Sequence, residues 1–206
     1  MTIVEDWPLA GHEGAQSQMA RRSMIDSQLR TSGVNAEPVL RRMAEVAREA
    51  YVPEAARGFA YIDRAIALGD GRQLAAPVVH GMMLQEARPG LADKALLVDG
   101  GSGYLAELLR PMVGSLEVVT PAEAVAGSRS DGDFTLLVID GAVEQLPDAL
   151  SRRFADGARA VAGVVENGIT RLAIGRKAAG AFALLPLAEL GIPVLREFAA
   201  PKGWSF

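Results

Sequence analysis

The sequence predicts an α/β protein, a mostly parallel sheet preceded by a helical N-terminal region. Three observations lead there. Ala95–Asp99 and Phe134–Asp140 are continuous apolar runs ending in Asp-Gly, the pattern of strands buried on both faces. Helical patterns alternate with strands beyond residue 90, as parallel βα units require. Before that point the periodicity is helical instead.

Composition sets the outer bounds. At 206 residues the chain is one domain with a real core, burying roughly 70% of its unfolded surface. Half of it is hydrophobic and 22% is charged, which excludes a disordered chain. Lys and Arg number 21 against 25 Asp and Glu, a net charge of −4 spread along the chain. That argues against a nucleic-acid binder. There is no cysteine, so disulfides, Cys-ligated zinc and thiol chemistry are excluded. No apolar run reaches the ~20 residues of a membrane span. Glu5 and Asp6 precede any apolar stretch, unlike a signal peptide, and a soluble cytoplasmic protein with no membrane partner is expected.

Taken in order, residues 1–15 mix Gly, charge and Pro and are expected to form a flexible arm, with 16–206 as a single domain. Its helical part is 16–90 and its sheet part 91–206. Gln16–Arg30 places Met19, Met24, Ile25 and Leu29 on one helical face. Asn35 stands where an N-cap belongs, before Val39, Leu40, Met43, Val46 and Ala47 at helical spacing. Ala65–Arg72 reads as a short strand and glycine turn, and Pro77 opens a helix to about Ala87. Ala95–Asp99 is the first buried strand, Tyr104–Val113 a helix and Leu116–Thr120 the second strand. Phe134–Asp140 is followed by the helix Pro147–Phe154. Ala158–Glu166 and Thr170–Arg176 read as strands, and Phe182–Leu187 with Val194–Phe198 as one more pair.

The segment Asp99-Gly100-Gly101-Ser102-Gly103-Tyr104 joins a buried strand to a helix. Doubly wound sheets hold nucleotides at such a turn, because glycines let the backbone approach the ligand. Gly101, Gly103 and Ala106 fit the dinucleotide spacing G-x-G-x-x-A, but the ribose-binding acid about 20 residues on is missing: Glu117 and Glu123 are misplaced by about three residues. A tight structural turn is the other reading. Asp99 and Asp140 both end buried strands at the same crevice. They could form a carboxylate pair for acid–base work or a cation, or cap nearby loop N–H groups, and the capping role is the expectation. His80 is expected to be a half-buried structural residue, His12 lies in the arm, and no metal site is expected. Met82, Met83 and Leu84 read as core, Arg152-Arg153 as a solvated helix-end charge, and Trp204 and Phe206 as a tail that docks back or binds a partner.

With the turn, a series of segments in order resembles the protein-L-isoaspartate O-methyltransferases. They are Met24–Arg30, Val39-Leu40 with Met43, Arg48-Glu49, Tyr51–Glu54, Ala60–Arg64, Gly69–Gly71, Gly101–Tyr104 and Gly141–Leu150. The resemblance covers about residues 19 to 175. It implies an S-adenosylmethionine-methyltransferase-like fold, with S-adenosylmethionine bound at the glycine turn. It further implies methyl transfer to the carboxylate of an isoaspartyl residue in a damaged protein. The residues it implicates are Asp99, Gly101, Ser102, Gly103, Tyr104 and Asp140 for the cofactor, and Gln73, Leu74 and Ala75 for the substrate.

This chain departs from the family pattern at four places. The family's Thr-Ile-Ser aligns with Gln73-Leu74-Ala75, and Ala75 has no hydroxyl. The acid before the glycines aligns with Leu97, while Asp99 replaces a glycine. The ribose-binding acid aligns with Thr120. The thirteen residues Pro121–Asp133 are too few for a helix and a strand, a pairing that needs about 30, so about one βα unit is missing. These departures predict an eroded cofactor and substrate site. The alternative they raise is a catalytically inactive homologue acting as a binding or assembly protein. Losing a strand also leaves Leu116–Thr120 at a sheet edge, which predicts a homodimer or an edge covered by the chain's own ends.

Overall fold

A computed structural model describes residues 10–127 and 132–200. The central sheet has six strands. They are β3 (Lys94–Val98), β4 (Ser115–Val119), β5 (Phe134–Val143), β6 (Phe154–Glu166), β7 (Ile169–Ala178) and β8 (Ala181–Glu189), after a hairpin of β1 (Ile66–Gly69) and β2 (Arg72–Leu74). The order across the sheet is β4-β3-β5-β6-β7-β8. The β3–β4, β3–β5 and β5–β6 pairs are parallel, and the β6–β7 and β7–β8 pairs antiparallel. Strand order reverses beside β3, so the crevice of this sheet lies over the exits of β3 and β5.

The parallel strands form because their runs are apolar on both faces. Ala95, Leu96, Leu97 and Val98 are all fully buried, as are Leu136–Ile139. Residues alternate between two cores. Leu97, Leu136 and Val138 face the core shared with the N-terminal helices, and Leu96, Val98, Leu137 and Ile139 face the opposite one. The helices are α1 (Ala10–Met24), α2 (Glu37–Glu45), α3 (Pro77–Ala87), α4 (Tyr104–Leu109), α5 (Pro121–Ala126) and α6 (Asp148–Ser151). In α3, Pro77 supplies a preset φ at the first turn, and eight of its eleven residues are buried between the sheet and the N-terminal helical region.

The missing unit is visible. Among the described residues between β4 and the next strand, the six-residue α5 is the only element, and β4 stands at the edge of the sheet. Val118 there is 40% exposed.

Several sequence expectations need correction. The first helix begins at Ala10, inside the segment expected to be an arm, and continues through a π-helical turn at Ile25–Leu29. Met1–Leu9 lie outside the described residues, as do Trp204 and Phe206. Met19 is 71% exposed and does not join the buried face. Asn35 does not cap α2. Ala36 holds that position, and Gln85 accepts from both the Asn35 and Ala36 amides instead. The helix expected to reach Phe154 is only α6, because Phe154 is buried in β6 against Phe134 and Phe182. Val194–Phe198 is not a strand. Pro193, just before it, and Leu195 bracket Ala142 in a single parallel bridge at Val194, and a 3-10 turn at Arg196–Phe198 follows. Arg153 is not solvated: it donates to Glu117 at 2.6 Å and lies over the Phe134 ring. No helix among the described residues is long and apolar enough to cross a membrane.

Candidate active site

Asp99 follows β3 and Asp140 lies near the end of the parallel pairing in β5, so the sheet register brings both to the crevice. Their roles then separate. The amides of Gly101 and Gly103 donate to the Asp99 carboxylate at 2.9 and 3.0 Å. The carboxylate thereby fixes the turn in which Gly101 and Gly103 adopt φ of +110° and +73°, values that favour glycine. Tyr104's amide donates to Ser102 Oγ at 3.1 Å. Burial raises the Asp99 pKa, and the nearby Asp140 charge raises it further, against the lowering effect of the two amides.

Asp140 does not cap a loop. Its Oδ1 lies 2.9 Å from His80 Nε2, and His80 Nδ1 lies 3.2 Å from Arg48 Nη1. A guanidinium can only donate, so Nδ1 is the accepting nitrogen and Nε2 carries the proton given to Asp140. His80 and Arg48 are completely buried and Asp140 nearly so. His80 is therefore not the half-buried residue expected, but the middle of a buried Arg48–His80–Asp140 relay. Arg48 also donates to the carbonyls of Ala60, at 2.7 Å, and Ala75. The relay runs from the N-terminal helical region, through α3, to the crevice. Tyr104 packs edge-on against His80 and beneath the Arg48 guanidinium. Its burial pushes the phenol up to about 12.

The close approach of β3 and β5 needs glycine at position 100, where a Cβ would collide with the Asp140 backbone carbonyl. At Gly103 a Cβ would meet nothing within 4 Å, so the turn is open on that side. At Gly101 it would meet the Arg72 stem at 3.3 Å. The β1–β2 hairpin thus lies against the turn. Arg72 is paired with Glu197 of the C-terminal 3-10 turn, and the Arg196 guanidinium lies beside Gly71. Of the expected substrate residues, Leu74 and Ala75 are buried and Gln73 is exposed.

Two features were missed in the sequence. The Arg48–His80–Asp140 relay joins residues far apart in the chain, and no local signal announces it. The second was legible: Thr120-Pro121-Ala122-Glu123 is a capping box. Thr120 caps α5, and the Glu123 carboxylate returns to accept from the Thr120 amide at 2.8 Å. A carboxylate therefore does stand at the exit of β4. Among the described residues no group of three or more His, Asp or Glu could hold a metal ion.

Comparison with known proteins gives this architecture its relatives. The family model described as Protein-L-isoaspartate(D-aspartate) O-methyltransferase matches residues 19–127. A protein-L-isoaspartate O-methyltransferase of Roseiflexus sp. (strain RS-1) is 39% identical over 106 residues, 52% of this chain. That match spans only 48%, about half, of the relative's length. The protein of the same name from Koribacter versatilis (strain Ellin345) is 30% identical over 184 residues, covering 78% of this chain and 83% of its own. Among solved structures, a Plasmodium falciparum protein assigned to the same methyltransferase, in complex with S-adenosyl-L-homocysteine, superposes with a TM-score of 0.69. It is 16% identical, with 88% of this chain and 98% of that one covered, a likeness of fold. The chain belongs to the protein-L-isoaspartate O-methyltransferase family.

Proposed function

We propose that this member of the protein-L-isoaspartate O-methyltransferase family transfers a methyl group from S-adenosylmethionine to the carboxylate of an isoaspartyl residue in a damaged protein. The observation that carries the reading is the glycine turn fastened by Asp99. The chain lacks the acid expected at Leu97, yet a carboxylate two residues later holds the same turn in order. Glu123 likewise brings a carboxylate back to the exit of β4, where position 120 has none of its own. Gly101, Ser102, Gly103 and Tyr104 would line the methionine end of the cofactor and Asp140 the crevice. The open space beside Gly103 fits a ligand approaching the backbone there.

The cofactor supplies an activated methyl on a sulfonium, and a carboxylate is already nucleophilic. The chain's own residues are left with binding and alignment, which can lower a barrier greatly without acid–base help. The Arg48–His80–Asp140 relay ties the crevice wall to the N-terminal helical region. A cytoplasmic location and an isoaspartyl protein or peptide as partner belong to this reading.

A second reading, a non-catalytic binding or assembly protein, is favoured by Ala75. It offers no hydroxyl, it is buried, and its carbonyl is engaged by Arg48. Calorimetric titration with S-adenosylmethionine and S-adenosylhomocysteine, followed by methyl transfer to an isoaspartyl peptide, separates the two. Micromolar binding with transfer supports the enzyme. Silence up to millimolar cofactor leaves the scaffold. The exposed edge of β4 supports self-association through that strand in either case. Light scattering should then give a dimer mass that Val118→Lys reduces to a monomer, and a monomeric wild type ends that part of the reading.

A further inference from the structure

We infer that Arg72 is the substrate-positioning residue that holds the carboxylate of the peptide substrate, and that Glu197 is a built-in carboxylate occupying it until substrate arrives. This rests on the methyl-transfer reading above. Arg72 begins β2, whose next residues, Gln73 and Leu74, lead to Ala75 in the segment that resembles the family's substrate-placing stretch. Its aliphatic stem lies across Gly101, 3.3–3.5 Å from where a side chain there would begin. Its guanidinium therefore stands beside the cofactor turn, on the side that meets solvent.

Glu197 reaches it from a distant part of the chain. Both carboxylate oxygens take part, Oε2 accepting from Arg72 Nη1 at 3.3 Å and Oε1 from Nη2. A fork-on-fork pairing of this kind is how arginine recognises a carboxylate. The pair is partly exposed, with side chains 31% and 28% accessible, and such pairs contribute little to stability. It is thus a weak tie in a place where a carboxylate must dock. The Arg196 guanidinium, 3.4 Å from the Cβ position of Gly71, adds a second cation on the same hairpin. The Asp99 carboxylate does not compete, since it is turned to the amides of Gly101 and Gly103. Removing Glu197 from Arg72 therefore leaves two cations facing solvent beside the turn. Arg72 supplies the carboxylate donor that Ala75 cannot.

The test titrates the full chain, without cofactor, with an amidated peptide containing one isoaspartyl residue, and with the same peptide carrying Asn in its place. Glu197→Gln should tighten the isoaspartyl peptide several-fold. Arg72→Gln should weaken it about tenfold or more relative to Glu197→Gln, with the Asn peptide indifferent to both. The charge-reversed pair Arg72→Glu/Glu197→Arg restores the tie and should keep the wild-type melting temperature, yet lose the peptide. The inference is overturned if Arg72→Gln or the reversed pair binds as tightly as the wild type, or if neither wild type nor Glu197→Gln binds at all. S-adenosylhomocysteine titrated into the same proteins reports separately on the cofactor. If the cofactor fails to bind while the peptide responds as expected, the methyl-transfer reading falls and the carboxylate clamp stands.

Discussion

His80→Ala is the sharpest probe of the buried relay. The imidazole is fully buried and makes contacts of 2.9 Å to Asp140 and 3.2 Å to Arg48. Truncation leaves Arg48 with its two carbonyl partners, but strands the nearly buried Asp140 side chain and opens a void where the ring was. Stranding a buried charged acceptor and leaving a void where the ring stood together cost about 3–5 kcal/mol. In a chain of this size each kcal/mol lowers the melting temperature by roughly 2–4 °C, so a drop of about 6–20 °C is expected. Urea denaturation of wild type, His80→Ala, Asp140→Ala and the double variant measures it. The double variant should cost less than the sum of the singles, because each single already strands the other partner. A loss below about 1 kcal/mol, or strict additivity, would refute the relay as a structural unit.

Three further outcomes follow from the site. Asp99 has its pKa raised, by burial first and by Asp140 second. Such a group contributes stability that is present below the ordinary carboxylate pKa of about 3.9 and lost as pH rises through the folded value. Asp99→Asn should therefore gain stability relative to wild type as pH is raised from about 4, and urea midpoints that differ by a constant amount at every pH would contradict it. The opposite sign holds for Asp93, where burial is outweighed by Arg159 and Thr135 and the pKa falls. Asp93→Asn should lose its disadvantage as pH drops through the acidic range, which the same midpoints would record. Gly100→Ala must push β3 and β5 apart at the crevice. It should cost more than about 2 kcal/mol by denaturation and abolish S-adenosylhomocysteine binding; a variant that melts and binds like the wild type would mean that the approach is not tight.

The sheet was legible because its strands are apolar on both faces and α3 is bounded by Pro77. The missing βα unit was legible as well, since thirteen residues cannot hold what normally needs about 30. The C-terminal segment was not. Val194–Phe198 has the alternation of a strand, but only Ala142 is available to pair with it, and Leu195 is drawn instead to Gly141, where a Cβ would lie 2.5 Å from the Leu195 side chain. The partners of the site residues were the least legible part. Arg48, His80 and Asp140 lie 32 and 60 residues apart, and only tertiary packing joins them.

Position-by-position alignment counts Leu97 and Thr120 as lost acids, and the structure places a carboxylate near each of the two positions. Leu97 is fully buried within a five-residue strand flanked on both sides by partners, where an ionised side chain would be costly unless paired. The carboxylate that fastens the turn comes instead from Asp99, past the strand's end, where loop amides can meet it. At β4 the strand ends in an N-cap, a position that Thr fills well, and the box geometry returns Glu123 to the same spot. In both cases a carboxylate stands at a nearby position where burial and hydrogen bonding tolerate it. What a crevice requires is a carboxylate at a place in space, and more than one residue number can put it there. Ala75 follows directly on β2, and the charged donor of that strand is Arg72, which is why the substrate side turns on that guanidinium and on whether Glu197 yields it.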